Sequence, residues 1–373
     1  MAPFFERVEN LLPVEIPERR FIGPIADVFD RGGKALGWSV GPIGRNAVGC
    51  EGDGFCDFGC ASGAKRSMDV SYVPSALNKG AVLFTELRAD RLVLEGGRAV
   101  GVEAVDTNGR RLTVRGRAVV LAGGAIPTPL FLLRQGLCNT SGEVGKNLTL
   151  HPSGGFAAYF EERMDPARYI PQAYLCDQFL KEGLLLLSAQ PDANIAPLMF
   201  PWTGHRLTKT LEELPHLAGF GILARDSSRN GRVWGEVKGQ PIITYNLKAE
   251  DVDLLHQGML RVAELALAAG AKRLYPTVLG QPPLESADDL LAFRRRTLAP
   301  GQIPLTSYHM LGTCKMGRDP KTSVVGLDHE THDVKGLYIV DGSTVRGPLG
   351  VNSQLTIMAM ATRAAGKIAD ALG

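Results

Sequence analysis

The chain has 373 residues, 45% of them hydrophobic and 21% charged, which is ordinary globular composition and room for two or three domains with cores of their own. Its formal net charge of +2 sets up no broad field that would recruit nucleic acid or a membrane surface, and no apolar run approaches the ~20 residues of a membrane span. Six cysteines make no disulfide framework at this length, and Met1–Arg7 lacks the basic-then-apolar order of a secretory leader, so the cytoplasm is the favoured compartment.

In chain order, Phe21 to Asn46 is spaced as an amphipathic helix followed by the broken stretch Gly41-Pro42-Ile43-Gly44. Gly49 to Ala64 reads as a loop, and Ser71 to Gly80 as a short helix stopped by glycine. Ala81–Phe84, Arg91–Leu94, Val100–Val105 and Arg111–Arg115 read as strands, with a turn at Gly96-Gly97. Ala118 to Ala122 is continuously apolar, as expected of a parallel strand buried on both faces. Gly123-Gly124 and a helix over Thr128–Arg134 complete strand, glycine turn and helix, half of a crossover unit.

From about Gly154 the pattern changes. Strand-like pieces at Gly155–Phe160, Leu184–Ala189, Gly219–Ala224, Gly231–Val237 and Ile242–Tyr245 predict a mainly antiparallel sheet, followed by a long helix over Ala249–Ala269. Gly336–Asp341 is a strand ending in an acidic turn, and Gln354–Leu372 is a helix. The expected fold is α/β plus α+β: a doubly wound domain in two parts, residues 1–153 and 304–373, interrupted by a domain over 154–303 with an antiparallel sheet.

Three late motifs carry the chemistry: Ser307-Tyr308-His309-Met310-Leu311-Gly312-Thr313-Cys314-Lys315-Met316-Gly317, Tyr338-Ile339-Val340-Asp341-Gly342-Ser343, and Gly350-Val351-Asn352-Ser353-Gln354. With Gly123-Gly124-Ala125-Ile126-Pro127-Thr128-Pro129, Val144-Gly145-Lys146-Asn147-Leu148 and His151-Pro152, the chain resembles the glucose-methanol-choline (GMC) oxidoreductases. The resemblance implies an FAD-binding fold, oxidation of a small-molecule alcohol at its CH–OH group, and oxygen or another electron acceptor. It covers the later part of the family's length. Family members open with strand, G-x-G-x-x-G turn and helix, whose glycines let the backbone approach a pyrophosphate. Gly32-Gly33-Lys34-Ala35-Leu36-Gly37 has the wrong spacing and no strand before it. The chain therefore reads as a fragment, a mis-started protein, or one half of a split enzyme whose FAD-gripping segment is separate.

By resemblance, His309 is the base that takes the hydroxyl proton, a role suited to a pKa near neutrality. Asn352 is the second polar group, able to orient the substrate but a poor base; it also stands where a helix N-cap belongs. That helix end, with Asn352 and Ser353, would favour a reduced, anionic flavin. Asp341 and Gly342 close a strand where α/β folds place ligands, with simple Asp-Gly turn chemistry as the alternative. Gly123 and Gly124 would admit the cofactor closely, and the backbone at Leu87 and Arg88 would lie along the adenine. His151 is either near the flavin or structural, while His205, His216, His256, His329 and His332 show no partner pattern.

Cys50, Cys56 and Cys60 leave a further reading open: a flavin dehydrogenase with an iron–sulfur cluster as electron exit. Free thiols, or a Cys56–Cys60 bridge, are the alternatives. The apolar middle sheet and the asparagine at 352 lean toward a bulky or lipophilic alcohol, sterols included.

Overall fold

The computed structural model describes residues 1–190, 194–227 and 229–373. Its largest element is a six-stranded sheet with strands in the spatial order Val40–Pro42, Tyr174–Cys176, Leu184–Ser188, Leu217–Ala224, Ser153–Tyr159 and Arg273–Pro276. Every neighbouring pair is antiparallel. Successive side chains of a strand point to opposite faces, and the burial follows that rule. Phe156, Leu184, Leu186, Phe220 and Ile222 pack on Leu255, Met259 and Val262 of the Ala249–Ala268 helix. Leu185, Leu187 and Leu223 form a smaller cluster with Ile43 and Leu175 on the other face.

The Ile25–Leu36 helix lies against the Ala249–Ala268 helix. Gly32 and Gly33 are what allow it: a Cβ on Gly32 would fall 2.5 Å from the Leu265 carbonyl oxygen, and one on Gly33 2.6 Å from Val40. These glycines are packing residues inside a helix, which removes them as a phosphate loop. The helix expected across Phe21–Asn46 is in fact two, Arg19–Ile22 and Ile25–Leu36, because Pro24 has no N–H to continue the ladder. Val40–Pro42 then enters the large sheet beside Tyr174–Cys176.

A second layer holds a parallel pair, Val119–Leu121 with Leu337–Ile339, and a meander of Leu87–Glu95, Arg98–Asp106 and Arg111–Arg115. They share a core of Leu92, Ala99, Val119, Leu132, Leu337 and Ile339. Two expectations fail here. Ala81–Phe84 joins no strand pair among the described residues, and Val82, Leu83 and Phe84 are exposed. The Val119–Leu121 strand is not buried on both faces: Val120 is 46% exposed, and the parallel sheet has two strands among the described residues.

Arg232–Val237 and Gln240–Thr244 also leave the large sheet and form their own hairpin. Among the described residues no helix is long and apolar enough to cross a membrane.

Candidate active site

The site is built where the His309 segment crosses the start of the large sheet. Thr149 and Leu311 exchange backbone hydrogen bonds of 3.1 and 3.0 Å in an antiparallel bridge. In that register the residues two positions out, His151 and His309, come opposite each other. Their ring centroids lie 5.5 Å apart with the planes at 72°. Ser307 Oγ donates to the Leu150 carbonyl oxygen and ties the second strand of the crossing.

His151 is 1% exposed and sits in the left-handed region at φ 51°. Two contacts hold that backbone in place, and a third holds the carboxylate that makes them. The buried Asp226 carboxylate accepts from the amides of Leu150 at 3.3 Å and His151 at 3.2 Å, and from the Tyr245 hydroxyl at 2.5 Å. Burial pushes the Asp226 carboxyl up; burial first, and then the Asp226 carboxylate, raises the Tyr245 phenol. His151 Nε2 accepts from the amides of Leu349 at 2.6 Å and Gly350 at 3.1 Å, so Nε2 carries no proton and Nδ1 does. Burial, with the neighbouring His309 adding to it, lowers the His151 pKa to about 4. Burial alone lowers that of His309. His309 Nδ1 is enclosed without a partner, which leaves Nε2 as the nitrogen that can meet a substrate.

Gly342 brings the other pieces in. A Cβ there would lie 3.2 Å from each of Met310 O, Leu311 and Ile357, so glycine lets the His309 segment and the first turn of the Gln354–Leu372 helix close on this turn without crowding. That helix begins after Ser353, whose side chain makes no capping bond. The N-cap is therefore Ser353 and not Asn352. Asn352 is exposed, and among the described residues its side chain has no hydrogen-bond partner.

Asp341 departs from its expected role. Its Oδ2 accepts from Gly124 N at 2.8 Å and Thr128 Oγ1 at 2.6 Å, and its Oδ1 from Ser343 N at 2.8 Å and Ser343 Oγ at 2.5 Å. A carboxylate has about four acceptor sites, and four protein donors already occupy them, so Asp341 locks two turns together. Gly123 N bonds Thr128 Oγ1 at 3.1 Å. Gly124 has φ 93°, and a Cβ added there would meet nothing within 4 Å, so the space above the turn is open. Thr313 and Lys315 are also structural: Thr313 Oγ1 bonds the Ala125 carbonyl at 2.6 Å, and Lys315 pairs with Glu143 at 2.7 Å.

Leu87 and Arg88 begin the meander, paired with Asp106 and Val105. The exposed Arg88 side chain faces Asp90 at 3.9 Å, and the structure does not bring either residue to the histidine pair. Cys50, Cys56 and Cys60 are free thiols. Among the described residues no three His, Cys, Asp or Glu side chains converge as a ready-made set of metal ligands. Cys60 is instead bound to its own loop, accepting from Lys65 N at 3.4 Å, which lowers its pKa. Asp226 and Tyr245 were not legible in sequence, since nothing local marks a carboxylate that serves a backbone so far away along the chain.

Glycine turns at the carboxyl ends of a parallel pair, with an antiparallel sheet laid beside them, define an α/β protein with a ligand-facing edge. Two family models, both described as GMC oxidoreductase, match residues 1–153 and 228–361. The chain belongs to the GMC oxidoreductase family. An uncharacterised GMC-type oxidoreductase of Sinorhizobium fredii is 30% identical over 92% of this chain and 68% of its own length. A long-chain-alcohol oxidase of Arabidopsis thaliana is 26% identical over 92% of this chain and 50% of its own. The chain spans about half the length of several curated relatives it matches. The crystal structure of pyridoxine 4-oxidase from Mesorbium loti superposes with a TM-score of 0.69 at 20% identity, over 96% of this chain and 72% of that one, so the two share the fold.

Proposed function

We propose that this chain carries the catalytic part of an FAD-dependent oxidoreductase acting on CH–OH donors, with His309 as the base. The observation that carries this reading is the half-buried His309 imidazole, whose burial keeps it neutral near pH 7 and so able to take a hydroxyl proton at Nε2. Asn352, exposed and unpartnered among the described residues, orients the substrate oxygen by donating from its amide.

The residues present fit the ring end of the cofactor. The open space above Gly124 and the N-terminus of the Gln354–Leu372 helix, free of a side-chain cap, favour an electron-rich ligand at that edge. FAD, when bound, supplies the hydride acceptor at its N5. The phosphate end has no counterpart among the described residues, since Gly32 and Gly33 lie inside a packed helix. We assign that part to a further segment, on the same or a separate polypeptide. The exposed Val120, Val82, Leu83 and Phe84 support a surface awaiting one.

The substrate is a bulky or lipophilic alcohol, a sterol being one member of the class. Two things support this: Tyr308 is 83% exposed and Val351 is also exposed, beside His309 and Asn352 in sequence, and the Arabidopsis relative is named for long-chain alcohols. The same name supports oxygen as acceptor. The second reading is that the chain alone is inactive; a purified chain that takes up no FAD until a nucleotide-binding segment is co-expressed would establish it.

The test is flavin absorbance of the assembled protein and its anaerobic bleaching by long-chain alcohols. His309→Ala should keep the flavin and lose turnover by about 10²–10⁴-fold. Flavin that no alcohol bleaches, or equal turnover in the variant, sinks the proposal.

A further inference from the structure

The Asp226–His151 contacts have no part in the chemistry assigned above, yet they join a buried carboxylate, a tyrosine and two backbone amides beside the site. A histidine held in the left-handed region at φ 51° is strained, and such strain persists only where the surroundings over-determine it. Here Asp226 fixes the backbone amides of Leu150 and His151 from one side. The ring meanwhile accepts the Leu349 and Gly350 amides and presents its edge to His309 at 5.5 Å.

We propose that His151 is a positioning residue of the His309 site: held as the neutral Nδ1–H imidazole, it fixes the Leu349–Gly350 turn that leads into Asn352 and sets the place of the His309 ring. Three features support this. Two amides on one nitrogen require an unprotonated Nε2, so the tautomer is dictated by the turn. The same turn leads into Asn352 two residues on, so His151 meets the His309 ring on one side and the turn before Asn352 on the other. The groups facing His151 are His309, Asp226 and Tyr245, with Arg225 packed against Gly350. The negative charge of Asp226 is spent on backbone amides and the Tyr245 hydroxyl. Two amides donating to the buried Nε2 oppose a cation at His151, so His309 can take up a proton without a second positive charge beside it.

The catalytic part of this inference rests on the function proposed above, and its test separates the two. In protein labelled with nitrogen-15 at histidine, long-range proton–nitrogen correlation reads tautomer and titration with no turnover involved. His151 should show the Nδ1–H pattern and stay neutral from about pH 5.5 to 8.5, where an ordinary histidine with pKa ≈ 6.5 titrates. His151→Gly, which also relieves the left-handed backbone, should fold with near-parental circular dichroism while the His309 resonances shift and its midpoint rises as water enters. His151→Gln places a carbonyl near the Nε2 position and should restore the His309 resonances toward the parent. In the flavin-loaded enzyme His151→Gly should lower kcat by about tenfold, at the low end of positioning effects, and His151→Gln should recover most of it.

An Nε2–H tautomer at His151, its titration near pH 6.5, or His309 resonances unmoved in His151→Gly would overturn the proposal. An enzyme that holds flavin and oxidises no alcohol would overturn the proposed function and leave the tautomer result standing.

Discussion

The Asp341 carboxylate accepts the amide of Gly124 at 2.8 Å and so joins the turns that follow the two parallel strands, far apart in the chain. The remaining acceptor sites go to Thr128 and Ser343. Asp341→Asn would turn an NH₂ toward two donors, or leave them unpaired. The expected loss is about 2–3 kcal/mol in urea unfolding. Thr128→Val, which removes one hydroxyl, should lose about 1 kcal/mol. An unchanged midpoint in Asp341→Asn would show that the turns do not depend on this lock.

Stability should fall as the pH is lowered from about 6.5. The folded-state pKa of His151 is about 4 against an unfolded value near 6.5, so the unfolded chain binds the extra proton in that window. Stability then rises with pH there and is lost toward pH 4, by about 3 kcal/mol from this residue. Burial lowers His256, His309 and His329 in the same direction, while Asp226, with its raised pKa, acts oppositely. Comparing urea midpoints of the parent and His151→Gly between about pH 6.5 and 4 isolates the His151 share: the parent curve should be steeper. Parallel curves would contradict it.

Leu337 and Val120 are neighbours on the parallel pair with opposite fates. Leu337 is fully buried and Val120 is 46% exposed. Leu337→Ala should lose about 2–5 kcal/mol. Val120→Thr should stay within about 0.5 kcal/mol in the chain alone. A large loss at Val120 would mean that this strand face is covered in solution.

Gly32→Ala places a methyl 2.5 Å from the Leu265 carbonyl, so the two helices must separate. Overpacking of this kind costs about 1–3 kcal/mol and should appear as a lower melting temperature. FAD affinity of the folded variant should be unaltered; a selective loss of FAD would restore Gly32 as a nucleotide contact.

The local elements were largely readable. Arg111–Arg115 and Gln354–Leu372 fall where the residue pattern puts them, because a strand period and an uninterrupted apolar face are properties of adjacent residues. The motif around His309 likewise marked the family, and the glycine turns marked the ends of the parallel strands. Sheet membership was not readable: Arg232–Val237 has a strand pattern like its neighbours but pairs within its own hairpin, and Ala81–Phe84 has the pattern yet joins no sheet among the described residues.

By itself the sequence determined the family, most element types and the candidacy of His309 and Asn352, since these lie in short contiguous motifs. Only the tertiary structure decided which groups meet. It placed His151 across from His309 through the Thr149–Leu311 register, recruited Asp226 and Tyr245 to hold a strained backbone, and filled the Asp341 carboxylate with protein donors. The reason is physical: whether a side chain is free or engaged depends on partners brought in by long-range packing, and burial, which sets the charge of each histidine, exists only once the chain has folded.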